Sequence, residues 1–207
     1  MPDLNVQGLT INADTLDRLD FMGDVENRGS DYQRWVRVTV RLLAEDDQVL
    51  AEQSDMVGLE WITPGARAPF RIAIEHPPIG WRRYLLEVAG RAHDFHDASV
   101  PQPHLTLDVG NAHYREIDRG GLLCSVIALL SNPGPTPASH VKAAGTLYGP
   151  KGNVVGVLSP YVVPRGILGV GERMFFELKY YALAGMVVNF MVQVQGRMAA
   201  SDEPLAL

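Results

Sequence analysis

An internal duplication constrains the fold of this chain more than any other feature of its sequence. Residues 21–29 (FMGDVENRG) align with residues 126–134 (VIALLSNPG) at an offset of 105, which places Asn27 on Asn132. The same offset aligns VRVTVRLLAEDDQVL, which begins at Val36, with VKAAGTLYGPKGNVV in the second half. Matches in the same order at one spacing indicate repetition of a whole structural unit.

Two further blocks continue the match after the insertion of one residue. Residues 65–72 (GARAPFRI) correspond to 171–178 (GERMFFEL), and residues 85–91 (LLEVAGR) correspond to 191–197 (MVQVQGR). Because the chain has 207 residues, each copy has the length of a small domain. We therefore predict copy one at 1–92, a linker at 93–104 and copy two at 105–207.

The spacing of apolar residues predicts that each copy is built from β-strands. Val36, Val38, Val40 and Leu42 alternate with polar residues, and the same alternation recurs from Phe70 and in the matching blocks of copy two. A period of two places one dry and one wet face on a strand, and no long window has the three-to-four spacing of a helix. The sequence predicts an all-β fold of two tandem immunoglobulin-like antiparallel β-sandwich domains.

Turn residues support this prediction and mark the linker. The segments EDDQ and GPKGN stand between paired alternating runs, as the tips of β-hairpins do. The segment HDFHDASVPQPH, residues 93–104, is rich in His, Asp and Pro and shows no alternation. Such a composition is typical of a partly stiffened linker.

Each copy resembles the FxLYD domain, in which a strand ending in Gly-x-Val-x-Asn is followed by Gly, a Val-rich strand, Leu-Tyr and a turn. The matching positions are Gly23, Val25, Asn27, Gly29 and 36–43 in copy one, and Leu130, Asn132, Gly134, Val141, Leu147, Tyr148 and Gly152 in copy two. Gly145 stands where the family has Phe, Gly149 stands where it has Asp, and Leu43 replaces Tyr. The resemblance implies a bacterial, often envelope-associated accessory domain without known catalytic residues.

Charge and composition exclude several classes of function. The formal net charge of −6 is concentrated in residues 1–101, and no dense cluster of Lys and Arg is present. We therefore predict no binding to nucleic acid. The single cysteine rules out an internal disulfide, and the sequence shows neither a signal peptide at its start nor an apolar run long enough to span a membrane.

Residue types that carry chemistry occur at four places, and each has a structural interpretation that we favour. His93, His96 and His104, with Asp94 and Asp97, are candidate metal ligands, but a linker lacks a rigid frame. Cys124 is in phase with inward-facing residues and acts as a small apolar side chain. The Gly-rich segment 166–172 is not followed by a helix whose N-terminus could bind a phosphate. The acidic segment 45–47 is interpreted as a solvated hairpin tip.

An excess of apolar residues in copy two is the remaining functional signal. The run YYALAGMVVNFMVQV, residues 180–194, places apolar side chains on both faces, as in a strand covered on both sides. The two interpretations are core plus the contact between the copies, and an exposed patch that binds a protein. The candidate interface residues are Tyr161, Tyr181, Met186 and Phe190.

These observations predict a non-catalytic binding or structural module of the cell envelope that acts through protein–protein contacts. A protein partner or self-association is expected, no cofactor or metal is assigned, and the chain is not expected to be an enzyme. The alternative is a carbohydrate- or metal-binding accessory domain of an enzyme system, in which Trp35, Trp61 and Trp81 stack on sugar rings. The expected localisation is extracellular or in the cell envelope, with the cytoplasm as the alternative.

Overall fold

The structure, a computed structural model, describes residues 3–14, 17–93, 105–117, 121–163, 166–181 and 184–199. Within these residues it is all-β and contains no helix, as the alternation predicted. The strands are β1 (Leu4–Asp14), β2 (Arg18–Asn27), β3 (Tyr32–Leu43), β4 (Val49–Met56), β5 (Trp61–Ile62), β6 (Arg67–Glu75), β7 (Arg83–His93), β8 (Thr106–Ile117), β9 (Gly121–Ser131), β10 (Ala138–Tyr148), β11 (Val154–Val162), β12 (Ile167–Leu168), β13 (Arg173–Tyr181) and β14 (Asn189–Met198). No helix of the described residues is long and apolar enough to cross a bilayer.

Strands β1–β7 form two antiparallel sheets that face each other, and we call this part the first half. One sheet has the order β1-β2-β6, and in the other β3 pairs with β4, β5 and β7. The alternating apolar residues of β3 are fully buried between the sheets against Phe21, Phe70 and Ile72. Burial of one face of each sheet produces the sandwich, because only that face is continuously apolar.

Strands β8–β14, the second half, repeat this arrangement strand for strand. Their sheets have the order β13-β9-β8 and β11-β10-β12, with β14 also paired to β10. The registers repeat as well: Phe21 pairs with Ile72, and the equivalent Val126 pairs with Leu178. Since residue pairs across the strands correspond at the offsets that align the sequence, the duplication is present in the strand pairing itself.

A buried asparagine repeats with its hydrogen bonds in both halves. Asn27 Nδ2 donates to the carbonyl oxygens of Asp31 and Ile62, both at 2.8 Å, and its Oδ1 accepts from the Gly29 amide at 3.0 Å. Asn132 Nδ2 donates to the carbonyls at positions 136 and 168 at 2.9 and 3.1 Å, and its Oδ1 accepts from the amide at 134. Each asparagine therefore ties the end of β2 or β9 to the opposite sheet.

Irregularities of the backbone are duplicated too. Trp35 has φ 48° at a register shift of β3, and the equivalent His140 has φ 51° at a register shift of β10. At the hairpin tips, Asp47 has φ 67° where its equivalent Gly152 has φ 74°. A β-bulge and a left-handed turn are specific backbone features, so their repetition strengthens the case for an ancestral copy.

The end of β7 overlaps the segment predicted as the linker. His93, the first residue of that segment, is the last residue of β7 and extends the pairing with β3 to Tyr32. Residues 94–104 lie outside the described residues. Leu105 is partly buried against the core of the second half.

Candidate protein-contact surface

The two halves pack through a contact that we call the seam, which joins the outer face of β2 and β6 to the outer face of β10 and β11. Met22 of β2 is fully buried among the core residues of the second half, and Ala144 of β10 is buried in the core cluster of the first. As a consequence, β2 and β10 are buried along both faces.

A buried carboxylate lies at the centre of the seam. Asp24 is 1% exposed and accepts hydrogen bonds from Thr146 Oγ1 at 2.9 Å and from Tyr148 Oη at 2.6 Å. Burial raises the pKa of Asp24 even though both hydrogen bonds lower it. Burial also raises the pKa of the Tyr148 hydroxyl, and the neighbouring Asp24 carboxylate raises it further. The pair is therefore a structural polar contact between the halves.

Aromatic and ionic contacts extend the seam on one side of Asp24. The Tyr180 hydroxyl lies 3.1 Å from the Met22 sulfur, and the Arg71 guanidinium stands 5.7 Å from the centre of the Tyr180 ring. Arg71 is held by two hydrogen bonds to Asp20, each 3.1 Å long. These residues fix the outer face of β2 and β6 against the second half.

Further ionic and polar contacts join the halves near β5. Glu60 accepts from Arg34 at 2.7 Å and from Arg197, and these hydrogen bonds hold the pKa of Glu60 below its ordinary value in spite of partial burial. The Trp61 amide donates to Gln195 Oε1 at 3.3 Å. Contacts at both ends of the seam thus restrict how the halves are placed against each other.

The surface equivalent to β2 and β6 in the second half, which we call the β9–β13 face, is open to solvent around Ile127 and Phe175. It is the outer face of sheet β8-β9-β13 and is centred on Ile127, Leu129 and Phe175. Ile127 is 43% exposed and Phe175 is 73% exposed, whereas Met22, the equivalent of Ile127, is fully buried. A cluster of apolar side chains left in water on one sheet face is typical of a surface that binds protein.

Charged residues border the apolar centre of the β9–β13 face. Arg173, Glu177 and Lys179 follow one another on the exposed side of β13, and Asp108 lies at the opposite edge on β8. Glu177 and Lys179 form an ion pair of 2.7 Å, which lowers the pKa of the Glu177 carboxyl. An apolar centre with a charged border is the composition expected of a protein interface.

The structure describes the side chains of two of the four predicted interface residues, and these two differ in exposure. Met186 is 68% exposed in the connection before β14, whereas Phe190 is partly buried against the core of the second half. The side chains of Tyr161 and Tyr181 lie outside what the structure describes. The β9–β13 face was not predicted, although the duplication contained a signal for it, because Ile127 aligns with the equally apolar Met22 at a position where a solvated strand face would carry a polar residue.

The three tryptophans do not form a shared platform. Trp61 is buried, and Trp81 is packed against the core of the first half. Trp35 is exposed, but Arg34 and Arg91 lie 4.6 and 5.8 Å from its ring centre. Stacking on a sugar needs a free ring face, so this arrangement gives the carbohydrate alternative no geometric support.

The other candidates from the sequence are placed as follows. Cys124 is fully buried in β9 and burial raises the pKa of its thiol, as its inward phase predicted. The Gly-rich 166–172 forms the short β12 and a turn into β13, and the acidic 45–47 is an exposed hairpin tip. Of the candidate metal ligands only His93 is described, and no group of three or more potential ligands occurs among the described residues.

No family model and no curated protein matches this chain. Among solved structures it is similar to red sea bream transglutaminase, with 12% identity over 93% of this chain and 29% of that chain and a TM-score of 0.28. It is also similar to the exo-chitosanase of Amycolatopsis orientalis, with 9% identity over 87% of this chain and 25% of that one and a TM-score of 0.24. The chain spans less than a third of either protein, and likeness at these scores supports no statement about activity.

Proposed function

We propose that this protein is a non-catalytic binding or structural module that acts through protein–protein contacts, and that the β9–β13 face makes them. The observation that supports the proposal is the exposure of Ile127 and Phe175 on the face whose counterpart in the first half is buried in the seam. This type of face already packs against a second β-sandwich within the chain. Covering it removes apolar surface from water, which is the main driving force for association.

We also propose that the protein works in the cell envelope or outside the cell, as its resemblance to the FxLYD domain implies. Fractionation of the native organism, with detection by an antibody against this chain, measures the compartment directly. We expect the protein in the envelope or extracellular fraction. Recovery in the cytoplasmic fraction alone would contradict this part of the proposal and leave the protein-contact role in place.

Hydroxyl-radical footprinting tests the contact role even when the partner is unidentified. Oxidation of Phe175 is compared between the purified protein at low concentration and the protein in living cells. We expect several-fold protection of Phe175 in cells, because a bound partner would cover a ring that is 73% exposed in the isolated chain. Trp35 of the first half is an exposed internal control and should be oxidised equally in both samples. Equal oxidation of Phe175 in cells and in dilute solution would refute the proposal.

A further inference from the structure

We propose that a cleft beside β14 binds a short acidic peptide in extended conformation, which adds to β14 as a further strand. The cleft, which we call the β14 cleft, has a volume of about 330 Å³ and is lined by residues of segment 59–67 in the first half and by Leu105 and residues 193–196 in the second. Ile127 and Phe175 of the β9–β13 face are not among its residues. The inference therefore goes beyond the protein-contact role proposed for that face and does not depend on it.

The β14 cleft lies along the unpaired edge of β14. Successive side chains of a strand point to opposite faces, so a lining of four consecutive residues, 193–196, indicates the edge of the strand. Within the described residues β14 pairs with β10 alone, and the edge at the cleft is therefore the other one. The four residues span about 10 Å, and an extended peptide of similar length would pair with the N–H and C=O groups that point away from β10.

Two glutamine side chains in the wall of the β14 cleft hold polar atoms without a partner. Gln195 is 9% exposed and its Oε1 accepts from the Trp61 amide at 3.3 Å, but its Nε2 makes no hydrogen bond to any described residue. The buried Oε1 of Gln193 is also unpartnered within the same residues. Buried polar groups of folded proteins are nearly always hydrogen-bonded, so an unmet donor and an unmet acceptor in one wall indicate a missing partner. A peptide unit supplies one acceptor and one donor, which is the complement of this pair.

Arg67 gives the β14 cleft a preference for an acidic residue. Its side chain is 43% exposed, and its Nη2 lies 3.4 Å from one oxygen of Glu26, whereas Arg28 binds the other oxygen of that carboxylate at 2.8 Å. The nearby carboxylate of Asp24 already accepts two hydrogen bonds from hydroxyl groups of the second half. The guanidinium of Arg67 therefore keeps N–H donors for a carboxylate of the peptide, which would bind as a charge-assisted pair.

The equivalent groove of the first half lacks these polar features. It lies between β1 and β7, has a volume of about 420 Å³, and is lined only by residues of those two strands, among them Val88, the equivalent of Val194. Glu87 stands at the position of Gln193 and pairs with Arg41 at 2.7 Å. An opening beside the last strand is therefore common to both halves, but only in the second half does the other half form a wall with unpartnered amide groups.

Selection of random heptapeptides displayed on phage against the immobilised full chain supplies the probe. Because the β14 cleft offers a strand edge and Arg67, we expect enriched sequences that contain Asp or Glu and that bind as synthetic peptides in the micromolar range. In amide NMR spectra these peptides should shift the signals of 59–67 and 193–196. Absence of enrichment, or shifts confined to other residues, would overturn the inference.

Removal of the charge at the cleft tests the acidic preference. Arg67→Gln should weaken binding of the selected peptide about tenfold. Arg37→Gln is the matched control and should leave the affinity unchanged, because Arg37 is exposed on β3 and does not line the cleft. If circular dichroism shows that Arg67→Gln does not fold, replacement of the acidic residue of the peptide by its amide tests the same contact. An affinity that neither change lowers would refute the proposal. A peptide that is weakened by Phe175→Glu and not by Arg67→Gln would overturn this inference and leave the contact role of the β9–β13 face in place.

N-methylation of the peptide tests whether it binds as a strand. Every second N–H group of a strand points toward the neighbouring strand, so methyl groups on that set of nitrogens should lower the affinity by more than about tenfold. Methyl groups on the alternate set, which point away from β14, should have a much smaller effect. Equal affinities of the two methylated peptides would rule out an added strand.

Discussion

Replacement of Tyr148 by Phe tests whether the polar contact at the centre of the seam stabilises the protein. The change keeps the ring but removes the hydroxyl that donates to Asp24 Oδ2 at 2.6 Å. Thr146 then remains as a side-chain donor to a carboxylate that is 1% exposed. A hydrogen bond to a charged group contributes about 1.5–3 kcal/mol, so we expect a loss of about 2 kcal/mol in the free energy of unfolding.

Thermal and urea unfolding measure this loss. For a chain of this length, about 2 kcal/mol corresponds to a decrease of about 4–8 °C in Tm. Tyr84→Phe is the matched control, because Tyr84 is exposed and its ring packs edge-on against Phe21 through its carbon atoms. The control should change stability by less than about 0.5 kcal/mol. If Tyr148→Phe is as stable as the control, the seam contact does not stabilise the fold.

The pKa of Asp24 gives the same variant a pH dependence of known sign. Burial raises the pKa of this carboxyl in the folded state above its ordinary value, so folding favours the protonated form. The stabilisation by this group is complete below the unfolded pKa and is lost as pH rises through the raised folded pKa. The Tyr148 hydrogen bond by itself lowers the pKa of Asp24, because it stabilises the charged carboxylate more than the protonated carboxyl. Tyr148→Phe should therefore cost more at pH 7 than below the unfolded pKa, where the carboxyl is protonated. Asp24→Asn, which cannot titrate, should lack this pH-dependent component, and an equal cost of Tyr148→Phe at both pH values would refute the assignment.

Three further substitutions test the repeated framework. Asn132→Ala removes three hydrogen bonds, two of them buried, and should lower the free energy of unfolding by about 2–4 kcal/mol in urea unfolding, and a smaller loss would indicate that water replaces the lost hydrogen bonds. Gly145→Ala places a Cβ 2.5 Å from Leu158 Cδ1 and should cost about 1–3 kcal/mol, whereas an unchanged Tm would show that Leu158 moves freely. Gly152→Ala meets no atom within 4 Å but sits at φ 74°, so a loss of about 1 kcal/mol in the same assay would come from the backbone alone, and no loss would contradict that strain.

The strands and their pairing could be predicted because two independent signals agree. Alternation from Val36 to Leu42 identifies a strand with one buried face, and the structure buries those residues completely. The duplication then transfers the assignment to β10, where Gly145 and Thr146 interrupt the alternation and would not identify a strand by themselves. The alignment of the two copies shows that Asn27 and Asn132 are equivalent. Their hydrogen bonds to the opposite sheet could not be predicted, because they depend on how the two sheets pack.

The seam could not be predicted from the same patterns. A polar residue in an alternating strand normally faces water, so Asp24 of β2 was indistinguishable from the solvated residues of other strands. Its donors Thr146 and Tyr148 lie more than a hundred residues away, and no local pattern links them. The apolar content of the sequence also predicted the wrong segment as the strand that is covered on both faces. The run 180–194 contains exposed Met186 and Val188, whereas β2 and β10 are the strands buried along both faces.

The β9–β13 face is exposed because the two halves have equivalent strands but contribute different faces to the seam. Two equivalent units that pack through two different faces can cover only one face of each kind within a single chain. One uncovered face belongs to β3 and β4, where Arg41 and its two glutamates interact well with water. The other carries Phe175 and Ile127, which do not. Each uncovered face is the counterpart of a face that is buried in the seam, and the two differ in that one carries an ion network while the other carries apolar side chains.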